Sequence, residues 1–310
     1  MESDSSKFLK ELPVPERFEE KQIRIQNFVE RQHSLRNKVV LVTSGGTIVP
    51  LESRTVRFID NFSQGTRGSA SAEYFLNSGY AVIFLHRNGS LEPYSRNFSR
   101  KNLLDFLEFR EDGQEQSLAV QGKYEEKISK ILRIYQKVTH SEMLLSVDFT
   151  TLSEYLYLLR IAALALKTLQ LDAMLYLAAA VSDFYIPKDQ MPEHKIQSSN
   201  GSLQLSLQLV PKLLEPLVKD WAPDAFIISF KLETNRSLLI SKSKAALEKY
   251  QHQLVIANLL ETRKEEVILV TKDSSKPILL SAECLSQGVE IEELIIKELI
   301  TIHNHMLNQK

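Results

Sequence analysis

The sequence predicts an α/β fold, with helices on both faces of a doubly wound, mostly parallel sheet. Two observations carry this. First, "KVVLVTSGGT" (residues 38–47) is a near-continuous apolar strand that runs into a glycine turn, and a helical stretch and a second apolar strand, "YAVIFLHR" (80–87), follow. Strands buried on both faces read as unbroken apolar runs, and strand–helix–strand order gives parallel neighbours with right-handed crossovers. Second, the rhythm resumes further on with "DAMLYLAAAVSDF", "DAFIISFKLE", "HQLVIANLL" and "EEVILVTKD". Six or seven strands result, in one Rossmann-like domain over residues 38–310.

Each element has a local reason. Residues 1–37 form an N-terminal helical extension, because the charged stretch 14–36 sets Phe18, Ile23, Ile25 and Phe28 in a loose apolar stripe. The first strand follows, then a long loop, then a helix over about 66–78 that stops at Gly79, a residue suited to a left-handed cap. Residues 100–170 break the rhythm. "EEKISKILRIYQKV" and "LSEYLYLLRIAALALKTLQ" both repeat apolar residues at helical spacing, so the segment reads as a helical insertion, with "SEMLLSVDF" as a short strand inside it. Helices at 211–219 and 236–250 separate the later strands, and "VEIEELIIKELITIHNHM" closes the chain.

Composition narrows the function. The formal net charge of −1 creates no basic field, which argues against nucleic acid or an anionic membrane as partner. Cys284 is the single cysteine, so no internal disulfide and no cysteine metal cluster can form, as in a protein of a reducing compartment. "MESDSSKFLKELPVPERFEEKQ" lacks the apolar core of a secretory signal, and the longest apolar run carries Arg160 and Lys167. A cytoplasmic protein is expected.

The chemistry-bearing stretches lie at strand ends. In "RFIDNFSQGTRGSASAEYF", Asn61, Ser63, Gly65 and Gly68 stand at a helix entrance, where free N–H groups and the helix dipole attract anions. Ser63 alone reads as an N-cap. Together with Gly45 in "TSGGT" the stretch reads as a nucleotide-phosphate site. A dinucleotide-dependent oxidoreductase is the alternative, and it fits poorly. Its glycine fingerprint belongs directly between strand and helix, whereas eighteen residues separate Gly46 from Gly65. The second strand ends without an acidic residue for a ribose, although Arg87 there suits a 2′-phosphate.

"LAAAVSDFYIP" places Ala179, Ala180 and Asp183 at a strand end near the sheet edge. The alanines leave room for a flat ligand with Asp183 on its hydroxyl or amide groups, or they merely admit a close helix while Asp183 caps a turn. Lys195 lies in a polar loop, where a solvated lysine and a phosphate-handling one look alike. Phe230 and Asn258 sit in or at the end of apolar strands; Phe230 reads as core, and a buried Asn258 needs a partner. No Gly-x-Ser-x-Gly occurs, so covalent catalysis has no support. No histidine spacing defines a metal site, and no metal ligand is assigned.

"VTSGGTIVPLESRTVRFIDNFSQGTRGSASAEYF", "AAAVSDFY", "HKIQS", "SFKLET" and "VIANLLETR", in this order over roughly residues 38–290, resemble the phosphopantothenate–cysteine ligase family of the free-standing eukaryotic type. The bacterial form lies behind a flavin-dependent decarboxylase; no such domain precedes the motifs here, and decarboxylation is not implied. The resemblance implies a ligase of coenzyme A biosynthesis. In that reaction the carboxylate of 4′-phosphopantothenate attacks a nucleoside triphosphate, pyrophosphate leaves, and the amine of L-cysteine attacks the acyl-nucleotidylate. It implies ATP, with CTP as the bacterial counterpart, and Mg²⁺.

Carried over by motif, Gly45, Ser63, Gly65, Gly68, Phe230 and Asn258 resemble the nucleotide-binding residues. Asn61, Ala179, Ala180 and Asp183 resemble those that hold phosphopantothenate, with Arg57 reaching in from the other subunit of a homodimer. Asn61 and Lys195 take the catalytic roles; Lys195 matches the bacterial K-I-K-K motif, which here reads K-I-Q-S. Lys212 and Lys244 lie near the positions that the bacterial enzyme uses for triphosphate.

Overall fold

The computed structural model describes residues 4–99, 101–112, 115–198 and 201–309. Eight strands form the central sheet: β1 (Val39–Ser44), β2 (Ala81–Arg87), β3 (Leu144–Phe149), β4 (Ala173–Leu177), β5 (Phe226–Glu233), β6 (Leu254–Leu259), β7 (Glu266–Val270) and β8 (Ser275–Leu279). Their order is β8-β7-β6-β5-β4-β1-β2-β3. The six from β3 to β6 are parallel, in the order 3-2-1-4-5-6 of a doubly wound sheet. β7 and β8 add an antiparallel edge. Winding runs outward from β1 in one direction, then from β4 in the other, so the switch point falls between them.

β1 shows why its sequence is unbroken. Val39 and Leu41 enter one core with Ile25 and Phe28 of α2 (Phe18–Ser34) and Leu156 and Leu159 of α5 (Leu152–Leu166). Val40 and Val42 enter the other, with Phe75 of α3 (Thr66–Asn77) and Ile295 and Leu299 of α7 (Ile291–Asn308). Each fully buried aliphatic side chain contributes about 2 kcal/mol. The first helix of the chain, α1 (Asp4–Glu11), also inserts Phe8 and Leu9 into the first core. The N-terminal extension is thus packed on the domain.

Three features differ from expectation. The stretch 100–170 is not simply a helical insertion. It holds an antiparallel hairpin, Leu107–Asp112 with Glu115–Val120, then α4 (Gly122–His140), and then β3 and α5, which belong to the central fold. The hairpin strands are charged, and β3 is a half-buried edge strand, so neither displays a continuous apolar run. α5 begins at a capping box, where the Thr151 hydroxyl accepts from the Glu154 N–H (3.2 Å) and the Glu154 carboxylate from the Thr151 N–H (3.1 Å). β8 brings the sheet to eight strands. It contains Pro277 and is mostly exposed, features tolerated at a sheet edge and poor as a strand signal. The helix expected over 211–219 is one α turn, Leu214–Pro216, followed by a π turn, Leu217–Trp221. The helix expected over 236–250 is α6 (Arg236–Tyr250).

Candidate active site

The carboxyl ends of the six parallel strands share one rim, and the loops at the β1–β4 switch point are laid directly on one another. The Ala180 N–H donates to Gly45 O (2.8 Å) and the Thr47 N–H to Ala180 O (3.1 Å). The Thr43 and Thr47 hydroxyls accept from the N–H groups of Ala179 (3.1 Å) and Ser182 (3.0 Å). Ala179 and Ala180 are therefore stitched to the first glycine loop. Asp183 follows beyond a central strand, not at a sheet edge.

The glycines answer to close approaches. A Cβ on Gly46 would fall 1.7 Å from Asn61 O, where the chain returns across the loop; one on Gly68 would fall 2.4 Å from the Cβ of Ser44. Asn61 itself is held by its N–H donating to Thr47 O (3.1 Å). Gly65 caps α3 at φ +82°, and no side chain takes part in that cap. The Ser63 hydroxyl only meets the Gly65 N–H at 3.4 Å, so the N-cap role that Ser63 suggested alone is not realised. The Ser44 and Ser69 hydroxyls both donate to Gly65 O (3.1 and 2.8 Å). The first turn of α3 thus sits on the last residue of β1, and two glycine loops distant in sequence become one crevice. The Ser90 hydroxyl lies 3.2 Å from the Cβ positions of both Gly45 and Gly65, buried and without a hydrogen-bond partner. Nothing in "HRNGS" singled it out.

Arg87 is committed elsewhere. Its Nη1 donates to Gly46 O (2.9 Å) and Asp60 Oδ1 (3.0 Å), which ties the glycine loop to the strand that precedes Asn61. That use counts against a 2′-phosphate there, and with it against the oxidoreductase alternative.

Residues 52–57 and 192–197 form a separate arm. The N–H groups of Ser53 and Arg54 donate to the carbonyls of Pro192 (2.9 Å) and Glu193 (3.1 Å). The buried Glu52 carboxylate accepts from the N–H groups of Arg57 (2.9 Å), Val56 (3.2 Å) and Ile196 (3.3 Å) and from Arg57 Nη1 (3.0 Å). These donors, the Arg57 N–H foremost, hold its carboxyl below the usual range although burial pushes the other way. Arg57 also donates to Ile196 O (3.2 Å), next to the exposed Lys195. Asp183 is exposed and takes a contact from Lys212. Glu52 was invisible as a site residue, because its role arises from backbone donors gathered by folding.

On the far side of the rim, Phe230 is half-buried and meets the Tyr176 ring edge-to-face, centroids 4.9 Å apart. Asn258 is buried. Its Nδ2 donates to Ile256 O (3.1 Å) and Lys231 O (3.5 Å), while its Oδ1 accepts from Arg67 Nη2 (3.4 Å). Arg67, not singled out from the sequence, also pairs with Glu292 of α7 (2.9 Å). No group of three or more His, Cys, Asp or Glu among the described residues could hold a metal ion.

A doubly wound sheet with a glycine crevice at its switch point defines a ligand-binding α/β protein of the nucleotide-binding type. The family model for the DNA/pantothenate metabolism flavoprotein C-terminal domain matches residues 35–102 and 160–290. The interval between the matches holds the hairpin, α4 and β3. Phosphopantothenate–cysteine ligase of Homo sapiens is 52% identical over 91% of this chain and 92% of that protein. The Saccharomyces cerevisiae ligase CAB2 is 42% identical over 97% and 86%. A solved Cab2 variant in complex with phosphopantothenate-cysteine superposes with a TM-score of 0.89 at 42% identity, covering 98% of each chain. The chain belongs to the phosphopantothenate–cysteine ligase family, enzymes of coenzyme A biosynthesis that form a carbon–nitrogen bond. Among the described residues, no helix is long and apolar enough to cross a membrane.

Proposed function

We propose that the chain joins 4′-phosphopantothenate to L-cysteine through an acyl-nucleotidylate, with magnesium-bound ATP as co-substrate. The observation that carries the reading is the meeting of the two glycine loops and the Ala179–Asp183 loop at the β1–β4 switch point, with Asn61 between them. The substrate carboxylate attacks the α-phosphorus and pyrophosphate leaves. The cysteine amine then attacks the acyl carbon, loses a proton, and AMP departs. Displacement at phosphorus asks for alignment and charge neutralisation, which backbone donors and lysines supply. No nucleophilic side chain is required.

The crevice of Gly45, Ser63, Gly65 and Gly68 takes the phosphates, and Phe230 and Asn258 take the base. Ala179, Ala180 and Asp183 hold phosphopantothenate; Lys212 releases Asp183 when it binds. Asn61 donates its amide to the acyl oxygen, and Lys195, on the arm, neutralises charge on the departing pyrophosphate. Magnesium arrives with the triphosphate, as is usual for an ion that keeps its waters and takes phosphate oxygens.

A two-fold dimer brings Arg57 to the partner's site. Val56 and Phe58, the two neighbours of Arg57 in sequence, and Phe62 are exposed apolar residues that a second copy would cover. Purified protein with phosphopantothenate, cysteine, Mg²⁺ and ATP should release AMP and pyrophosphate in equal amounts. ADP with inorganic phosphate would instead indicate an acyl phosphate and overturn the nucleotidylate.

A further inference from the structure

We infer that Arg67 is a positioning residue that fixes the hydrogen-bond polarity of Asn258 and so makes the site select nucleobases with an exocyclic amino group. The inference rests on the proposed contact between Asn258 and the base.

Arg67 lies in the first turn of α3, between Gly65 and Gly68, with only 17% of its side chain exposed. Nη1 pairs with Glu292, and Nη2 reaches both the Arg263 carbonyl and Asn258 Oδ1. The Asn258 amide therefore has one arrangement. Its Nδ2 faces two carbonyl oxygens, of Ile256 and Lys231, and its Oδ1 faces a guanidinium. Turning the amide over would set donor against donor and oxygen against two oxygens, and each mismatched buried group is costly.

With both amide N–H groups used, the capacity left to Asn258 is the second lone pair of Oδ1. That is an acceptor. It suits the amino group of adenine or cytosine and opposes the keto oxygen of hypoxanthine or uracil. The same helix supports the ring beside it, since the Ser71 hydroxyl bonds the hydroxyl of Tyr176 (2.9 Å), on which Phe230 rests. Arg67 thus joins the helix that carries the phosphate loop to the group that reads the base.

The test compares kcat/KM of the full chain for ATP with ITP and for CTP with UTP. The amino bases should be favoured by at least about tenfold. Arg67→Lys keeps a charge beside Glu292 but removes the fork, so it should erase most of that preference. The loss should appear mainly in KM, with kcat at saturating ATP within about threefold. If the wild-type chain shows no preference, or if Arg67→Lys weakens all four nucleotides equally, the inference is wrong. Should Arg67→Lys fail to fold, Glu292→Gln loosens the same guanidinium and is read by the same ratio. Asn258→Ala separates the two levels. Unchanged KM for every nucleotide removes the base contact itself; a lost preference there, retained in Arg67→Lys, removes only the role of Arg67.

Discussion

On the β1–β4 side of the crevice, Gly45, Gly46, Gly65 and Gly68 are packed against Arg87, Asn61 and Ser44, and the half-buried Ala180 is bonded to the first glycine loop. On the arm, Arg57 and Lys195 are positioned by one buried carboxylate, Glu52, beneath exposed residues. The first bank has no spare volume, so stability and binding geometry are a single property there. The second is a local tether on the surface, of the kind that opens at small free-energy cost without unfolding the domain. Chemistry that needs a fixed phosphate cradle and a movable cation fits this division.

The largest effect should come from breaking the packed bank. Gly46→Ala would place a methyl 1.7 Å from Asn61 O, so the returning chain must move. Destabilisation of about 3 kcal/mol or more is expected, with activity lost in parallel, read by urea unfolding. A stable but inactive variant would show that the loop has slack and that the contrast between the banks is overdrawn.

On the arm, function should separate from folding. Lys195 is exposed, so Lys195→Gln should leave the unfolding midpoint unchanged while pyrophosphate release falls about 10²- to 10³-fold. Asn61→Ala should lower overall turnover about 10²-fold and stall after the intermediate. Accumulation of acyl-adenylate at the normal rate by Lys195→Gln would contradict this assignment.

The same contrast governs what the sequence revealed. β1, β2, β4, β5 and β6 were legible because burial on both faces leaves an unbroken apolar run. β3 was legible only as a short strand inside a helical insertion, and β8 was missed, since edge strands need no such run and β8 carries a proline. Glycines at Gly45 and Gly65 announced themselves as needing unusual backbone. Glu52, Arg67 and Ser90 did not, and Arg87 was read for a 2′-phosphate instead of for the glycine loop it holds. Arg67 meets Asn258 across 191 positions, and no local pattern encodes such a pairing.

A smaller, intermediate effect tests the arm's reach across subunits. Arg57→Ala and Asn61→Ala homodimers should each be nearly inactive. Mixed equally and allowed to exchange, half the dimers become hybrids in which one of two sites is intact. Activity should recover to about a quarter of wild type, as closed two-fold symmetry requires. No recovery despite demonstrated exchange would mean that Arg57, already bonded to Glu52 of its own chain, completes only its own site.

The mildest expected change comes from Glu52→Gln. The amide can still accept at one oxygen, but its NH₂ then faces the N–H groups of Val56 and Arg57, two donors that the carboxylate now satisfies. The tether should loosen locally. KM for phosphopantothenate should rise several-fold while the unfolding midpoint falls by less than in Gly46→Ala, because the loss stays within the arm. The pH dependence follows from the depressed carboxyl of Glu52. A carboxylate with lowered folded value contributes its full stabilisation above the ordinary value of 4.5 and loses it only as pH falls through the lower folded value. Between pH 5 and 8 the ratio of variant to wild-type KM should therefore be flat, and wild type should approach the variant only as pH falls well below 4.5. A ratio that changes around neutrality would assign the tether to another titrating group, and a collapse of global stability would place Glu52 with the packed bank instead of the arm.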